Sequence, residues 1–187
     1  MTQNASNVTS AKPKITGAIY SAEIGAALPR NHTENLDPKF KSLGYLSEDG
    51  IVNQDTRKSD EEKAFGGDIV ETSQSEKSDK FKFTLLETLN PDVLKEVYGA
   101  DNVTTDASTG AITVKSNSKV LVERSFIIEL VLKNGRIKRI VIPKAKVSEI
   151  GDITYADKKL SGFQTTLVAF PDADGNTHYE YISGGSK

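Results

Sequence analysis

VLVERSFIIELVLKNGRIKRIVIP, residues Val120–Pro143, decides the class of fold. At its centre Asn134-Gly135 is the strongest short-range hairpin signal available, because both central positions of the favoured tight turn need positive φ. Before it, Val120–Lys133 reads as one long strand, and the apolar run Phe126–Leu132 implies burial on both faces or an interface. After it, Arg136–Ile142 returns antiparallel and Pro143 is expected to end that strand. Little in Val120–Leu132 would blunt an exposed sheet edge, so the strand is either central in its own sheet or completed by a neighbouring subunit.

Outward from this hairpin the chain continues as strands. Lys144–Tyr155 and Gly162–Phe170 follow, and Asp174-Gly175 turns the chain into Thr177–Ile182. Upstream, Ala111–Lys115 follows the turn at Thr109-Gly110, and Phe81, Phe83 and Leu85 share one face of a strand over Phe81–Leu86. Ile15–Tyr20 is the first expected strand, and Phe40–Leu46 is the second, with Gly44 marking a bulge or a close backbone approach. One helix is marked between them and the hairpin. Asn90 suits its N-cap, Pro91 its first position, Asp92 its positive dipole end, and Gly99 its stop, while Leu94, Val97 and Tyr98 form its apolar stripe. The expected fold class is mainly β: a β-sandwich or barrel of antiparallel strands with one flanking α-helix, in a single domain over residues 1–187. Residues 1–14, rich in Asn, Ser and Thr, read as a flexible N-terminal arm.

Between the second and third strands lies Ser47–Lys80, a polar stretch of 34 residues with ten acidic and five basic side chains. Its charge is −5, which leaves +3 for the rest of a chain whose total is −2. Loops beyond about 12–15 residues without structure of their own are uncommon in compact domains, and are usually functional or disordered. This one is expected to be a long loop that serves partners. Its interior holds one apolar island, Ala64–Val70, with Gly66 and Gly67 inside it.

Composition excludes several classes. The chain of 187 residues contains no Cys, so it has no disulfide framework, no thiolate nucleophile and no cysteine metal site. A net charge of −2 gives no general attraction to nucleic acid or anionic membranes. Met1–Ser10 lacks the apolar core of a signal peptide, and no stretch approaches the roughly 18 apolar residues that a membrane span needs. Neither His32 nor His178 has a partner at ligand spacing, so no metal and no histidine base are expected. Asp172-Ala173-Asp174-Gly175-Asn176 opens like a calcium loop, but Thr177 stands where that loop needs its glycine and Ser183 where it needs its glutamate. A hairpin turn is the expected reading. Asp60-Glu61-Glu62 is expected to be a solvated face, not an acid–base pair. Lys133, Arg136, Lys138 and Arg139 cluster about Asn134-Gly135. They could meet phosphates or an acidic partner, but a solvated hairpin tip that discourages edge pairing is expected. No catalytic residue and no cofactor is expected, and the chain does not read as an enzyme.

The series Gly17-Ala18-Ile19-Tyr20, Leu43-Gly44-Tyr45-Leu46-Ser47-Glu48-Asp49-Gly50, Ala64-Phe65-Gly66-Gly67-Asp68 and Phe81-Lys82-Phe83 resembles the major tail proteins, or tail tube proteins, of long-tailed, siphovirus-type bacteriophages. Val97-Tyr98-Gly99, Lys138–Pro143, Gly151–Tyr155 and Tyr179-Glu180-Tyr181 extend the resemblance to about Ile182. It implies a structural virion protein of the phage tail that assembles in the host bacterial cytoplasm into stacked hexameric rings. The resulting tube would enclose the tape measure protein, meet tail-tip (distal tail) and tail terminator proteins, and conduct DNA without binding it specifically. In such proteins a long loop between the second and third strands docks on the next ring, a place that residues 47–80 occupy here. The resemblance therefore implies subunit interface roles for Phe65, Gly66, Gly67, Asp68, Ile69 and Val70, with Glu48 and Asp49. Lys133, Arg136, Lys138 and Arg139 stand as a candidate charged interface hairpin, with the −5 insert as one acidic partner, and are expected not to line a bore as an unpaired cluster. A β-sandwich decoration or receptor-binding module of a virion is the alternative, though it would tend to show exposed aromatic clusters, and this chain has no Trp.

Overall fold

The computed structural model describes residues 3–14 and 17–184. Ile15 and Thr16, which open the first expected strand, and Met1 and Thr2 of the expected arm lie outside the described residues. In chain order the strands are β1 (Ala11–Pro13), β2 (Ile19–Glu23), β3 (Lys41–Ser42), β4 (Leu46–Lys63), β5 (Ile69–Leu85), β6 (Val103–Thr105), β7 (Ile112–Val114), β8 (Arg124–Leu132), β9 (Ile137–Ile150), β10 (Phe163–Ala169) and β11 (Tyr179–Ile182). One α-helix, α1 (Pro91–Tyr98), lies between β5 and β6. The described residues are mainly β and antiparallel with one α-helix, as the strand patterns and the helix caps imply.

The β8–β9 hairpin forms the middle of the sheet. Its register runs from Val131 opposite Ile137 to Phe126 opposite Ile142, and both Asn134 and Gly135 take positive φ at the turn. Ser125–Glu129 is buried on both faces. Phe126 and Ile128 enter the main core, whereas Ile127 packs with Ala22 and Phe40 on the opposite side. β8 is therefore a central strand, flanked by β9 on one side and by β2 and β1 in succession on the other.

Pro143 does not end β9, contrary to expectation. The strand runs on to Ile150 and changes partner, from β11 over Lys138–Val141 to β10 over Ala145–Ile150. Pro143 occupies the gap between those partners, beside the register shift at Arg124/Phe126, where no sheet hydrogen bond is asked of its nitrogen. Its carbonyl accepts a hydrogen bond from Ser125 Oγ at 2.7 Å.

The nine strands of the main sheet follow the path β3-β2-β8-β9-β10-β5-β4, with β1 attached to β8 and β11 to β9, and β6 and β7 pair separately. The first and last strands of that path are consecutive in sequence, joined by Leu43–Tyr45. The sheet thus curls until its ends meet through the chain, but they do not pair as strands, and no barrel closes. Inside the curl, Ile19, Phe81, Phe83, Leu85, Phe126, Ile128, Ile142 and Leu167 form one core with Val93, Leu94 and Val97 of α1. Burying such side chains stabilises by about 1.5–3 kcal/mol each. The helix starts where its cap predicts: Asn90 Oδ1 accepts from Asp92 N at 2.9 Å, and Gly99 N donates to Lys95 O at 2.9 Å.

The largest departure from expectation lies at residues 47–80. The segment is not an irregular loop but two long strands, β4 and β5, paired from Asn53 opposite Phe81 out to Lys63 opposite Ile69. Thr, Ser and charged residues satisfy a two-stranded ribbon without a core because the backbone groups facing inward are paired and the side chains stay hydrated. The expected N-terminal arm is also partly ordered, as Ala11–Pro13 pairs with Leu130–Leu132.

Candidate assembly surface

Beyond Asp79 the hairpin leaves the body of the protein. β10 pairs with β5 only over Asp79–Leu85, so Ile69–Ser78 has β4 as its sole strand partner among the described residues. At about 3.3 Å per residue the free ribbon from Asp55 to Lys63 is roughly 30 Å long. Its side chains are nearly all exposed, and both strands present unpaired backbone edges.

The tip is a tight reversal in which Ala64 N donates to Asp68 O at 2.8 Å and Gly67 N donates to Ala64 O at 2.9 Å. Gly66 and Gly67 both have positive φ, with open space where a Cβ would stand. Phe65 is fully exposed there, and Ile69 and Val70 are more than half exposed at the start of β5. An apolar trio on a hydrated ribbon has no role in the protomer's own core. Glu48 and Asp49 are not brought to this tip. They sit in a bulge between Leu46 and Ile51 at the opposite end of β4, about 50 Å of strand away.

The root of the ribbon is held by a network that sequence reasoning missed. Asp79 is 1% exposed, and its carboxylate accepts from Asn53 Nδ2 at 2.8 Å and Thr177 Oγ1 at 2.6 Å, and pairs with His178 Nδ1 at 2.6 Å. The His178 ring also meets Phe81 edge-on at 5.4 Å between centroids. Burial acts to raise the Asp79 pKa, but the bonds from His178, Thr177 and Asn53 outweigh it and hold the value at about 2. The same bond raises the His178 pKa. The partners are far apart in sequence, and nothing local announces them.

Three members of the basic cluster are engaged within the chain. Arg139 is buried opposite Glu129, donates Nε to its Oε1 at 2.9 Å, and gives Nη1 to the carbonyls of Asn31 and Glu34 at 2.8 and 2.7 Å. Lys14 Nζ reaches the other Glu129 oxygen at 2.7 Å, fastening the N-terminal segment. Burial opposes the charge on Glu129, yet Lys14 and Arg139 hold its pKa below the ordinary value. Lys138 pairs with Glu180 at 2.6 Å, and Arg136 donates to Ser183 O. Only Lys133, exposed at the turn, retains the character of a solvated hairpin tip.

A second buried acid, Glu96 on α1, accepts from Ser21 Oγ at 2.5 Å and lies 2.6 Å from Arg124 Nε as an ion pair; burial raises its pKa. It is buried on the Val93 side of the helix, outside the stripe of Leu94, Val97 and Tyr98, so the apolar spacing did not mark it. Asp172 takes the hairpin-turn role: its Oδ1 accepts from Asp174 N and Asn176 N, and its Oδ2 from the Tyr179 hydroxyl. Among the described residues no cluster of His, Cys, Asp or Glu could hold a metal ion, and no helix is long and apolar enough to cross a membrane.

No curated protein matches the chain. The family model described as phage tail tube protein matches residues 1–186, which takes in the curled sheet, α1 and the projecting ribbon together. This chain, with its curled antiparallel sheet and projecting ribbon, belongs to the phage tail tube protein family.

Proposed function

We propose that residues 1–187 work as one tail-tube domain that forms hexameric rings, with the β4–β5 hairpin as the element that stacks one ring on the next. A member of this family is a structural component of the virion tail, and it assembles with other tail components. The observation that carries the finer reading is the ribbon itself: roughly 30 Å of paired strand with Phe65, Ile69 and Val70 exposed at its end and no core partner among the described residues. Such a group gains burial only when another copy supplies it. On docking, Phe65 to Val70 becomes the buried anchor, and Glu48 and Asp49 meet a neighbour at the base of β4.

The tube built in this way encloses the tape measure protein, ends on tail-tip and terminator proteins, and passes DNA. Each phosphate neutralised by Lys or Arg adds sticking through counterion release, so a conducting bore has to be neutral or acidic. Internal pairing of Lys138 and Arg139 supports this, since neither is left as a free cation for DNA. Assembly takes place in the host cytoplasm, before the tail joins the virion.

Electron microscopy of the purified chain at rising concentration, with and without a tail-tip initiator, tests the reading. Rings and tubes are expected. Compact monomers under every condition, initiator included, would overturn it.

A further inference from the structure

The outward face of the sheet is covered on one half only. Over β2 and β8 the segment that includes Leu28, Leu36 and Phe40 packs on Ala22 and Ile127. Over β9, β10, β5 and β4 the register places Gln54, Lys80, Val168 and Lys146 in one row, and Val52, Lys82, Thr166 and Glu149 in the next. Directly opposed residues share a face, and the alternate residues Phe81, Phe83 and Leu167 point into the core, so both rows face outward. Val52, Lys82, Gln164 and Thr166 line a shallow depression there, with the acidic Asp49 and Glu149 at the side away from Lys80 and Lys146. Among the described residues none of Lys80, Lys82 and Lys146 makes an ion pair.

The hairpin tip has the opposite character. Asp60, Glu61, Glu62, Asp68 and Glu71 gather there against Lys63 alone, and Glu62 stands directly opposite Glu71, an arrangement that costs stability. The tip projects roughly 30 Å beyond Lys80, so it cannot fold back onto its own lysines. Complementary charges can meet only between copies.

We infer that the acidic tip of one copy docks on the Lys80–Lys82–Lys146 face of a second copy, with Phe65 seated on the exposed Val52 of that face. This rests on the stacking reading above and names the surface that receives the hairpin. The lysines steer and register the tip, and the aromatic ring supplies the desolvated anchor.

Charge exchange tests it. One variant carries Glu62→Lys with Glu71→Lys, a second carries Lys80→Glu with Lys82→Glu, and a third carries all four; sedimented tube is measured for each beside the unaltered chain. Each pair alone is expected to lower tube yield by about 10-fold or more, and the fourfold variant to restore it to within about 3-fold. Tubes unaffected by either pair, or a fourfold variant no better than the pairs, would overturn the inference while leaving stacking intact. Failure of the unaltered chain to form tubes would overturn stacking and the inference together. Because the chain has no Cys, Thr72→Cys combined with Thr166→Cys gives a second measurement free of charge changes. A short bis-maleimide should join such copies into oligomers within tubes, and monomers alone after treatment would also overturn the docking.

Discussion

Asp79 is where the free ribbon meets the body of the protein, and its carboxylate gathers donors from β4 and from the approach to β11. Replacing His178 with Ala leaves that buried acid short of a partner and is expected to cost about 1–3 kcal/mol in chemical denaturation. The pH dependence has a definite sign. His178 has a raised pKa, so its contribution is complete below its ordinary 6.5 and is lost as pH rises through the higher folded value. Asp79 has a lowered pKa, so its contribution is complete above 3.8 and is lost as pH falls through about 2. The stability gap between the native chain and His178→Ala should therefore be widest between pH 3.8 and 6.5 and should narrow in alkali. Arg139 presents a parallel case with a larger effect. Arg139→Met strands Glu129 with Lys14 alone and should cost about 3–5 kcal/mol, whereas Arg139→Met with Glu129→Leu should recover most of the loss. Gly44 has φ +71, and a Cβ there would stand 1.9 Å from the Glu87 carboxyl carbon. Its mark as a close backbone approach was legible in a strand-like sequence; that Glu87 is the neighbour was not.

Among the elements, α1 and the β8–β9 turn were legible because their signals are local. A cap, a proline, a dipole-matched acid and a stop glycine act on neighbouring residues, and Asn134-Gly135 acts on its own backbone. Asn90→Ala should lower stability by about 1 kcal/mol in thermal or denaturant unfolding, since Asp92 N loses its acceptor. The β4–β5 ribbon was illegible for the converse reason. Hydrophobic alternation marks a strand only when one face is buried, and both faces here are wet. Its order comes from pairing between residues such as Lys58 and Glu76, which bridge the strands at 2.6 Å, and from the grip at Asp79. Exposed pairs of this kind stabilise only weakly, because water and salt screen them. In the monomer, amides over residues 56–63 and 69–78 should therefore exchange with solvent much faster than those of β8 and β9, and hydrogen exchange read by mass spectrometry would show it.

At the scale of the whole molecule, core and ribbon are separable. Joining Asp55 to Asp79 through a short Asn-Gly turn removes no residue of the main core, so the shortened chain should unfold within a few degrees of the native one by calorimetry. The same chain is expected to form no tubes; tubes of normal length would contradict the stacking role. By itself the sequence determined the β class, the hairpin at Asn134-Gly135, the helix and the apolar island at Phe65–Val70, because each depends on the periodicity or turn chemistry of adjacent residues. Tertiary structure alone decided that β9 runs through Pro143 by changing partners, that the curled sheet stops short of a barrel, and that Arg139 and Lys138 are consumed inside the chain. It also decided that the polar segment stands out as a paired ribbon rooted at Asp79. Those outcomes depend on which distant groups meet, and a linear pattern holds no record of contacts between residues a hundred positions apart.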